Sequence, residues 1–226
     1  QIDFFSGRWA ESGLLSEQEI RAGRLGAYSA EDPTQGGTAM RASASTGITT
    51  RDRRGATWHL DAYLVQASDR VFTNRSIFLR DPDHGDQLEH VDDRVAYGGG
   101  GYYARGGIRI GVQARADDAN IGMWHDERRR RLDTCFAVDN PCTVTAAHVR
   151  DLAVYAEDTL RWHGVTVAPG ARLDQLTWDN EDLDAETATS TKSLTATAAR
   201  ARISPKLGIT FAPTRAIDVV LRGGGG

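Results

Sequence analysis

The sequence predicts an all-β protein: an antiparallel up-and-down transmembrane β-barrel, with about nine strands in this chain. Two observations carry that expectation. Apolar and polar residues alternate with period two in stretch after stretch, as they do in strands with one apolar face. The connections between those stretches alternate between long and short, the arrangement of a barrel with long loops on one side of a membrane and tight turns on the other. The aromatic residues add weaker support, because Trp58, Phe72, Tyr97, Tyr103, Trp162, Trp178 and Phe211 fall at or near strand ends, where interfacial girdles sit.

Residues 1–8 make a weak first strand, followed by a long connection over 9–37. That connection holds a short helix at Ser16–Ala22, with Ser16 as N-cap and Glu19 completing a capping box. The second strand reads Met40, Ala42, Ala44, Thr46 and Ile48 on one face against Arg41, Ser43, Ser45, Gly47 and Thr49 on the other. The third sets Trp58, Leu60, Ala62 and Leu64 against His59, Asp61, Tyr63 and Val65. Residues 94–104 form a weaker, glycine-rich strand in which Gly98 to Gly101 mark a bend or a close backbone approach. The cleanest alternation puts Ile108, Ile110, Val112 and Ala114 against Arg109, Gly111, Gln113 and Arg115.

Residues 148–160 are again weaker. Val165, Val167, Pro169, Ala171 and Leu173 then oppose Thr166, Ala168, Gly170, Arg172 and Asp174. Ile203, Pro205, Leu207, Ile209 and Phe211 oppose Ser204, Lys206, Gly208 and Thr210, and the last strand sets Ile217, Val219 and Leu221 against Asp218, Val220 and Arg222. Most of these strands are roughly 9 to 13 residues long, which suits a tilted membrane crossing. The long connections are 9–37, 70–93, 118–147 and 177–201; the short ones are Arg51–Arg54, Arg105–Gly106, Arg161–His163 and Pro213–Arg215. All four short turns are expected at one end of the sheet. Periodicity leaves open whether the apolar face meets lipid or a protein core, since either gives the same alternation.

The 27 basic and 31 acidic residues among 226 leave a net charge of -4, with no basic block interleaved with aromatics, so nucleic acid is not expected as a partner. No stretch approaches the ~18 to 20 apolar residues of a spanning helix, and residues 1–25 have no signal-peptide pattern. Cys135 and Cys142, the two cysteines, lie seven apart in a loop-like stretch; a short-loop disulfide in an oxidising compartment is the expectation, with two free thiols as the alternative.

The densest charge run is Trp124-His125-Asp126-Glu127 followed by Arg128 to Arg131. Guanidinium groups beside an aromatic can clamp carboxylates or phosphates bidentately. Trp124, His125, Arg128, Arg129 and Trp178 are therefore the candidate ligand contacts, for an anionic chelate at a mouth or lipopolysaccharide outside it. The plainer reading is a solvated loop partly neutralised by Asp126, Glu127 and Asp133. Asp179, Glu181, Asp182, Asp184 and Glu186 form a matching acidic loop. Asp81 to Asp86 invites a calcium-loop reading, but an EF-hand would need an oxygen ligand at Gly85 and glycine at Asp86, so a solvated acidic loop is expected. His59, His84, His90, His125 and His148 are scattered without zinc spacing. Gly98 to Gly101 lacks the Lys-Ser/Thr of a phosphate loop, and there is no G-x-S-x-G. No catalytic residue, cofactor or metal is expected.

Two segments resemble a known family. Gly7 to Gly23 (GRWAESGLLSEQEIRAG) with Asp32 to Arg41 (DPTQGGTAMR) is similar to an extracellular loop and the strand after it in TonB-dependent outer-membrane receptors. Ile203 to Gly226 (ISPKLGITFAPTRAIDVVLRGGGG) is similar to their barrel hairpin: a strand opened by Ser-Pro-Lys-Leu-Gly, a Pro-containing periplasmic turn, and a strand running into glycines. The resemblance implies a 22-stranded barrel closed around a plug domain, taking up a scarce ligand such as a ferric siderophore with energy delivered through TonB. Its partners would be outer-membrane lipid and lipopolysaccharide, the small-molecule ligand, and the protein's own plug. Residues 1–226 then read as a partial barrel domain, an internal piece without signal peptide, plug or remaining strands. A soluble secreted all-β binding or glycan-processing module and a passive porin-type barrel are the alternatives. The chain by itself is expected to need detergent to stay dispersed, because its edges and apolar face want partners.

Overall fold

The structure is a computed structural model that describes residues 1–26, 28–132, 142–183, 195–214 and 217–225. In chain order the elements are β1 (Ile2–Ala10), α1 (Glu17–Arg21), β2 (Gly36–Arg51), β3 (Thr57–Thr73), β4 (Gln87–Arg105), β5 (Ile108–Glu127), β6 (Arg130–Arg131), β7 (Thr143–Glu157), β8 (Leu160–Trp162), β9 (Val165–Asp182), β10 (Ala196–Thr214) and β11 (Ile217–Gly224). One antiparallel sheet runs β1-β2-β3-β4-β5-β7-β9-β10-β11, with β6 paired to β5 and β8 to β9. Every long strand lies beside its sequence neighbour. All short connections therefore fall at one end of the sheet and all long ones at the other.

The register sorts side chains onto two faces. Val112 opposes Val154, Val154 opposes Leu173, and Leu173 opposes Ile203, so one apolar rung crosses four strands. Nothing among the described residues covers this face: Leu60 is 67% exposed, Ile110 55%, Ile203 70% and Leu221 66%. Among the described residues, the buried apolar ones are six alanines with Phe72 and Val91. That is no sandwich core, so the apolar band has lipid as its natural solvent. Trp58 and Tyr103 meet edge to face at 4.8 Å near the short-turn end, and Trp162 and Phe211 are also exposed at that end.

The opposite face is polar and cross-linked. Arg109 reaches Glu157 at 2.8 Å, and Lys206 joins the same carboxylate. Arg172 pairs with Asp174 at 2.6 Å and also donates to Gln113.

Several expected boundaries are corrected. The seven strands β2 to β5, β7, β9 and β10 run 15 to 20 residues, well beyond the expected lengths. Above the apolar band both faces turn polar, as at Ser68-Asp69-Arg70 and Asp117-Asp118, so alternation vanishes while the backbone ladder continues. The acidic stretch from Asp179 to Asp182 is accordingly the end of β9, while Asp184 and Glu186 lie outside the described residues. The turn expected at Arg161–His163 lies later: Arg161 and Trp162 belong to β8, which folds back on β9 through His163 (φ 44°) and Gly164 (φ 81°), a two-residue reversal with both centres left-handed. Arg215 lies outside the described residues, although Thr214 and Ile217 are paired across it. Phe72 is buried, at 8% exposure, and belongs to no girdle. The helix forms with Ser16 accepting from the Glu19 amide at 3.4 Å.

Two glycines show why the inner wall needs them. Tyr63 opposes Gly98, and a Cβ there would sit 2.8 Å from the Tyr63 hydroxyl; Tyr155 lies over Gly111 in the same way. Each ring covers backbone that a glycine leaves bare. Gly111→Val should displace the Tyr155 ring and cost about 1 to 3 kcal/mol through overpacking. Urea titration of the full-length protein in detergent would read this, with Tyr155→Ala in the same background recovering part of the loss.

Candidate functional site

Strands β2 to β5 rise past the apolar band, and the long connections between them meet at their tips. Asp32 anchors the first connection: its carboxylate accepts from Asn74 Nδ2 at 2.9 Å and Gln87 Nε2 at 3.0 Å. Gln35, 2% exposed, accepts through Oε1 from the Asn74 amide at 3.0 Å. Burial raises the Asp32 carboxyl, but hydrogen bonds from Thr34, Asn74 and Gln87 outweigh it and hold the group below the ordinary carboxylate value.

The third connection enters the same junction through Arg129. Arg128 (φ 51°) and Arg129 (φ 66°) form the two-residue turn between β5 and β6, both left-handed, a conformation costly for non-glycine residues. Contacts hold it there. The Arg129 amide donates to Gln87 Oε1 at 2.6 Å, its Nε donates to the Thr34 carbonyl at 2.6 Å and its Nη2 to the Gln35 carbonyl at 3.2 Å. Its guanidinium lies 5.0 Å over the Phe72 ring. Arg129 therefore locks three loops together.

The other sequence candidates also have structural partners. Arg131 stacks 3.5 Å over Trp124 and pairs with Glu89, a carboxylate only 3% exposed. His125, 2% exposed, donates from Nε2 to the Gly85 carbonyl at 2.7 Å. Arg128 stands exposed at the turn tip. Trp178 is half-buried two strands away on β9, opposite Val149 and Ala198. Cys142 is disulfide-bonded, and Cys135 lies outside the described residues. The charge run is thus no freely solvated loop, and Asp133 lies outside the described residues.

Asp81 to Asp86 departs from the expected solvated loop as well. Asp86 is 3% exposed and accepts from the amides of Leu79, Arg80 and Asp81 at 3.0, 3.0 and 2.8 Å. Burial pushes its carboxyl up, while the Ser76 hydroxyl and these amides more than reverse the push. Asp86 winds the second connection around itself, which sets Arg75, Ser76 and Arg80 over the inner face of β3, β4 and β5.

Beneath them is a cavity of about 390 Å³, lined by Thr73, Arg75, Ser76, Arg80, His90 and Met123 among others. Burial and then the Arg75 charge lower the pKa of His90, keeping the imidazole neutral. Two guanidinium groups against the single carboxylate of Asp86, which also lines the cavity and takes the Ser76 hydroxyl, leave a net-basic lining suited to a small anion. The sequence reading singled out neither Arg75, Ser76 nor Arg80, and weighed His90 only as a scattered histidine, because it placed 70–93 in a loop. Among the described residues, no group of three His, Cys, Asp or Glu side chains is arranged to hold a metal.

One group in this junction is poorly served. Asp126 is wholly buried opposite Gln87 and Arg131, and neither carboxylate oxygen has a hydrogen-bond partner among the described residues. Burial, then the Glu89 charge, pushes its pKa up to about 6, against the pull of Arg131 and His125. A raised carboxyl contributes stability that is complete below its unfolded value and is lost as pH rises through the folded one. Amide exchange over residues 124–131 should therefore be slower at pH 5 than at pH 8, after correction for intrinsic rates, by on the order of 1 to 3 kcal/mol. Asp126→Asn should flatten that difference; an unchanged pH dependence in the variant would assign it elsewhere.

The comparisons with known proteins agree with this architecture. The family model "TonB dependent receptor-like, beta-barrel" matches residues 4–224. The crystal structure of the ferric citrate transporter FecA in the unliganded form is similar with a TM-score of 0.75 at 12% identity, over 99% of this chain and 32% of that one. At that identity the likeness is one of fold, and the chain spans about a third of that transporter's length. No curated protein matches. An open antiparallel wall with an uncovered apolar face, matched over nearly its whole length, places the chain in the TonB-dependent receptor β-barrel family.

Proposed function

We propose that the chain forms part of the wall and extracellular mouth of a ligand-gated active transporter of the outer membrane, one that takes up a scarce nutrient such as a ferric chelate. Energy would reach it from TonB through its own plug domain. The observation that carries the ligand class is the mouth cavity, where Arg75 and Arg80 face inward beside a neutral His90. Such a donor set favours a compact carboxylate- or phosphate-bearing ligand over a neutral sugar. The similar structure is that of a ferric citrate transporter, which makes ferric citrate the first ligand to try. Arg128, exposed at the turn tip, is available to meet it before it enters.

The test is uptake of radiolabelled ferric citrate and of neutral ferric chelates by cells carrying the full-length receptor as their sole route. Replacing both Arg75 and Arg80 by alanine should raise the concentration for half-maximal uptake of the anionic chelate by about tenfold or more, since charged hydrogen bonds contribute about 1.5 to 3 kcal/mol each. Neutral chelates should be unaffected. Equal uptake of ferric citrate by the variant and the parent removes this cavity from the ligand path.

We further propose that Cys142 pairs with Cys135, stapling the third long connection on the oxidising outer face of the cell. The loop closed is short, so its contribution to stability should stay under ~3 kcal/mol. Alkylation of the unreduced full-length protein followed by mass spectrometry should label neither thiol, and quantitative labelling of both would falsify the pairing.

A further inference from the structure

The loop junction is built around two buried carboxylates that the mouth cavity does not use. Asp126 and Glu89 lie on neighbouring strands, on the side of the sheet away from His90 and Met123: Gln87 opposes Asp126, and Glu89 opposes Trp124 one rung below. Asp126 is wholly enclosed and Glu89 is 2% exposed. Arg131 and Arg70 both reach Glu89, whereas neither oxygen of Asp126 meets a donor among the described residues. Two arginines thus serve one carboxylate, and its neighbour carries the repulsion.

The charged groups around Asp126 come from every element packed on it. β4 supplies Glu89, β6 supplies Arg131, and Arg70 of β3 stands behind Glu89. On β5 itself His125 lies 3.8 Å from Asp81 of the second connection, and Glu127 is paired across to Arg130. The first connection presents the neutral Gln35 and Thr34, with the Arg129 guanidinium on their carbonyls.

An enclosed carboxylate without donors must hold a proton or turn out to water. Asp126 stands beside the left-handed pair Arg128 and Arg129, so turning it out carries the strained turn with it. We infer that Asp126 and Glu89 together form a proton-operated latch on the mouth. With the proton in place, the β5–β6 turn is seated and the cavity is formed. Without it, the turn lifts, Arg129 leaves Gln87, Thr34 and Gln35, and Arg75 and Arg80 lose the frame that holds them over His90. The inference rests on the anion-uptake reading above and adds its regulation.

The direction follows from linkage. A carboxyl raised in the seated state stabilises seating fully below its free value, and that stabilisation is lost as pH rises through the seated one. With about 6 in the seated state and ~3.9 in water, the seating equilibrium changes by about tenfold between pH 5 and pH 8. The mouth therefore tightens in acid, although a carboxylate ligand is itself less charged there.

The experiment uses the full-length receptor in mild detergent with two readouts at pH 5 and pH 8. Amide exchange over residues 32–36 and 74–80, corrected for intrinsic rates, reads whether the latch reaches the first and second connections. In wild type it should be about tenfold faster at pH 8, and in Asp126→Asn it should change by less than twofold. Binding of ferric citrate should weaken by about tenfold from pH 5 to pH 8 in wild type relative to Asp126→Asn; titration of the ligand and of His90 is common to both proteins and cancels. Heat-modifiable mobility on unboiled gels confirms assembly, and Asp126→Ser takes the place of Asp126→Asn should that variant fail the check.

Exchange in the two connections that ignores pH overturns the latch, even where residues 124–131 respond, and so does an equal pH dependence in wild type and variant. Failure of the anion-uptake reading looks different: ferric citrate then binds neither protein at either pH, and the exchange over 32–36 and 74–80 still decides the latch.

Discussion

In hydrocarbon no water is available to the peptide group, so every backbone N–H and C=O within the apolar band must find its partner inside the sheet. The rest of this structure follows from that constraint. It requires an unbroken antiparallel ladder, which the register supplies strand after strand from β1 to β11. A ladder of this kind sends alternate side chains to opposite faces, so each strand must satisfy two solvents at once. Ile108, Ile110 and Val112 take the lipid side, while Arg109, Gln113 and Arg115 take the other. A register slip of one residue would put Arg109 and Arg115 into hydrocarbon, at a depth-dependent cost of up to about 2 to 4 kcal/mol each. The apolar band thus fixes register as well as embedding.

With one face given to lipid, the chain has no conventional core, and stability must come from the ladder and from the polar face. Glu157 serves two cations on strands either side of it, Arg109 on β5 and Lys206 on β10. Tyr155 and Tyr63 lie across glycines on neighbouring strands, giving tight packing where no second layer exists. Buried alanines at 96, 116, 119, 146 and 153 let adjacent side chains close over the wall. These are cross-strand devices that link adjacent strands or, as with Glu157 and Lys206, reach over one strand between them.

The period-two signal made the apolar band legible in the sequence, and with it the order and direction of the strands. What it did not disclose was the strand above the band. At Ser68 to Thr73 and Gln87 to Asp93 both faces are wet or loop-covered, so no hydropathy contrast remains, yet the ladder pairs residue by residue up to Thr73 and Leu88. The mouth cavity fell in that blind stretch, which is why Arg75 went unremarked and His90 was read only as one of several scattered histidines. The arginine run failed for another reason. Side-chain type suggested ligand contacts, whereas the left-handed turn at Arg128 and Arg129 and the reach of Arg129 to Thr34 depend on a fold contact 95 positions away. No local pattern contains that information. Asp86 is the same case in miniature, an acidic residue whose amide partners are visible only once the loop is wound.

The junction locked by Arg129 bears on how the mouth can bind anything. A loop that must be ordered at the moment of binding subtracts its ordering entropy from the affinity, whereas one already held does not. Here the first and third connections are fastened to Gln87 and Asn74, residues at the two ends of the second connection. The second connection is in turn wound on Asp86, and it is this connection that sets Arg75 and Arg80 over His90 and Met123. The arginine that first suggested a ligand contact therefore acts on the cavity indirectly, by holding the frame from which two other arginines project. The conformational cost sits in the two left-handed residues of its turn and is met by folding, leaving the cavity preorganised.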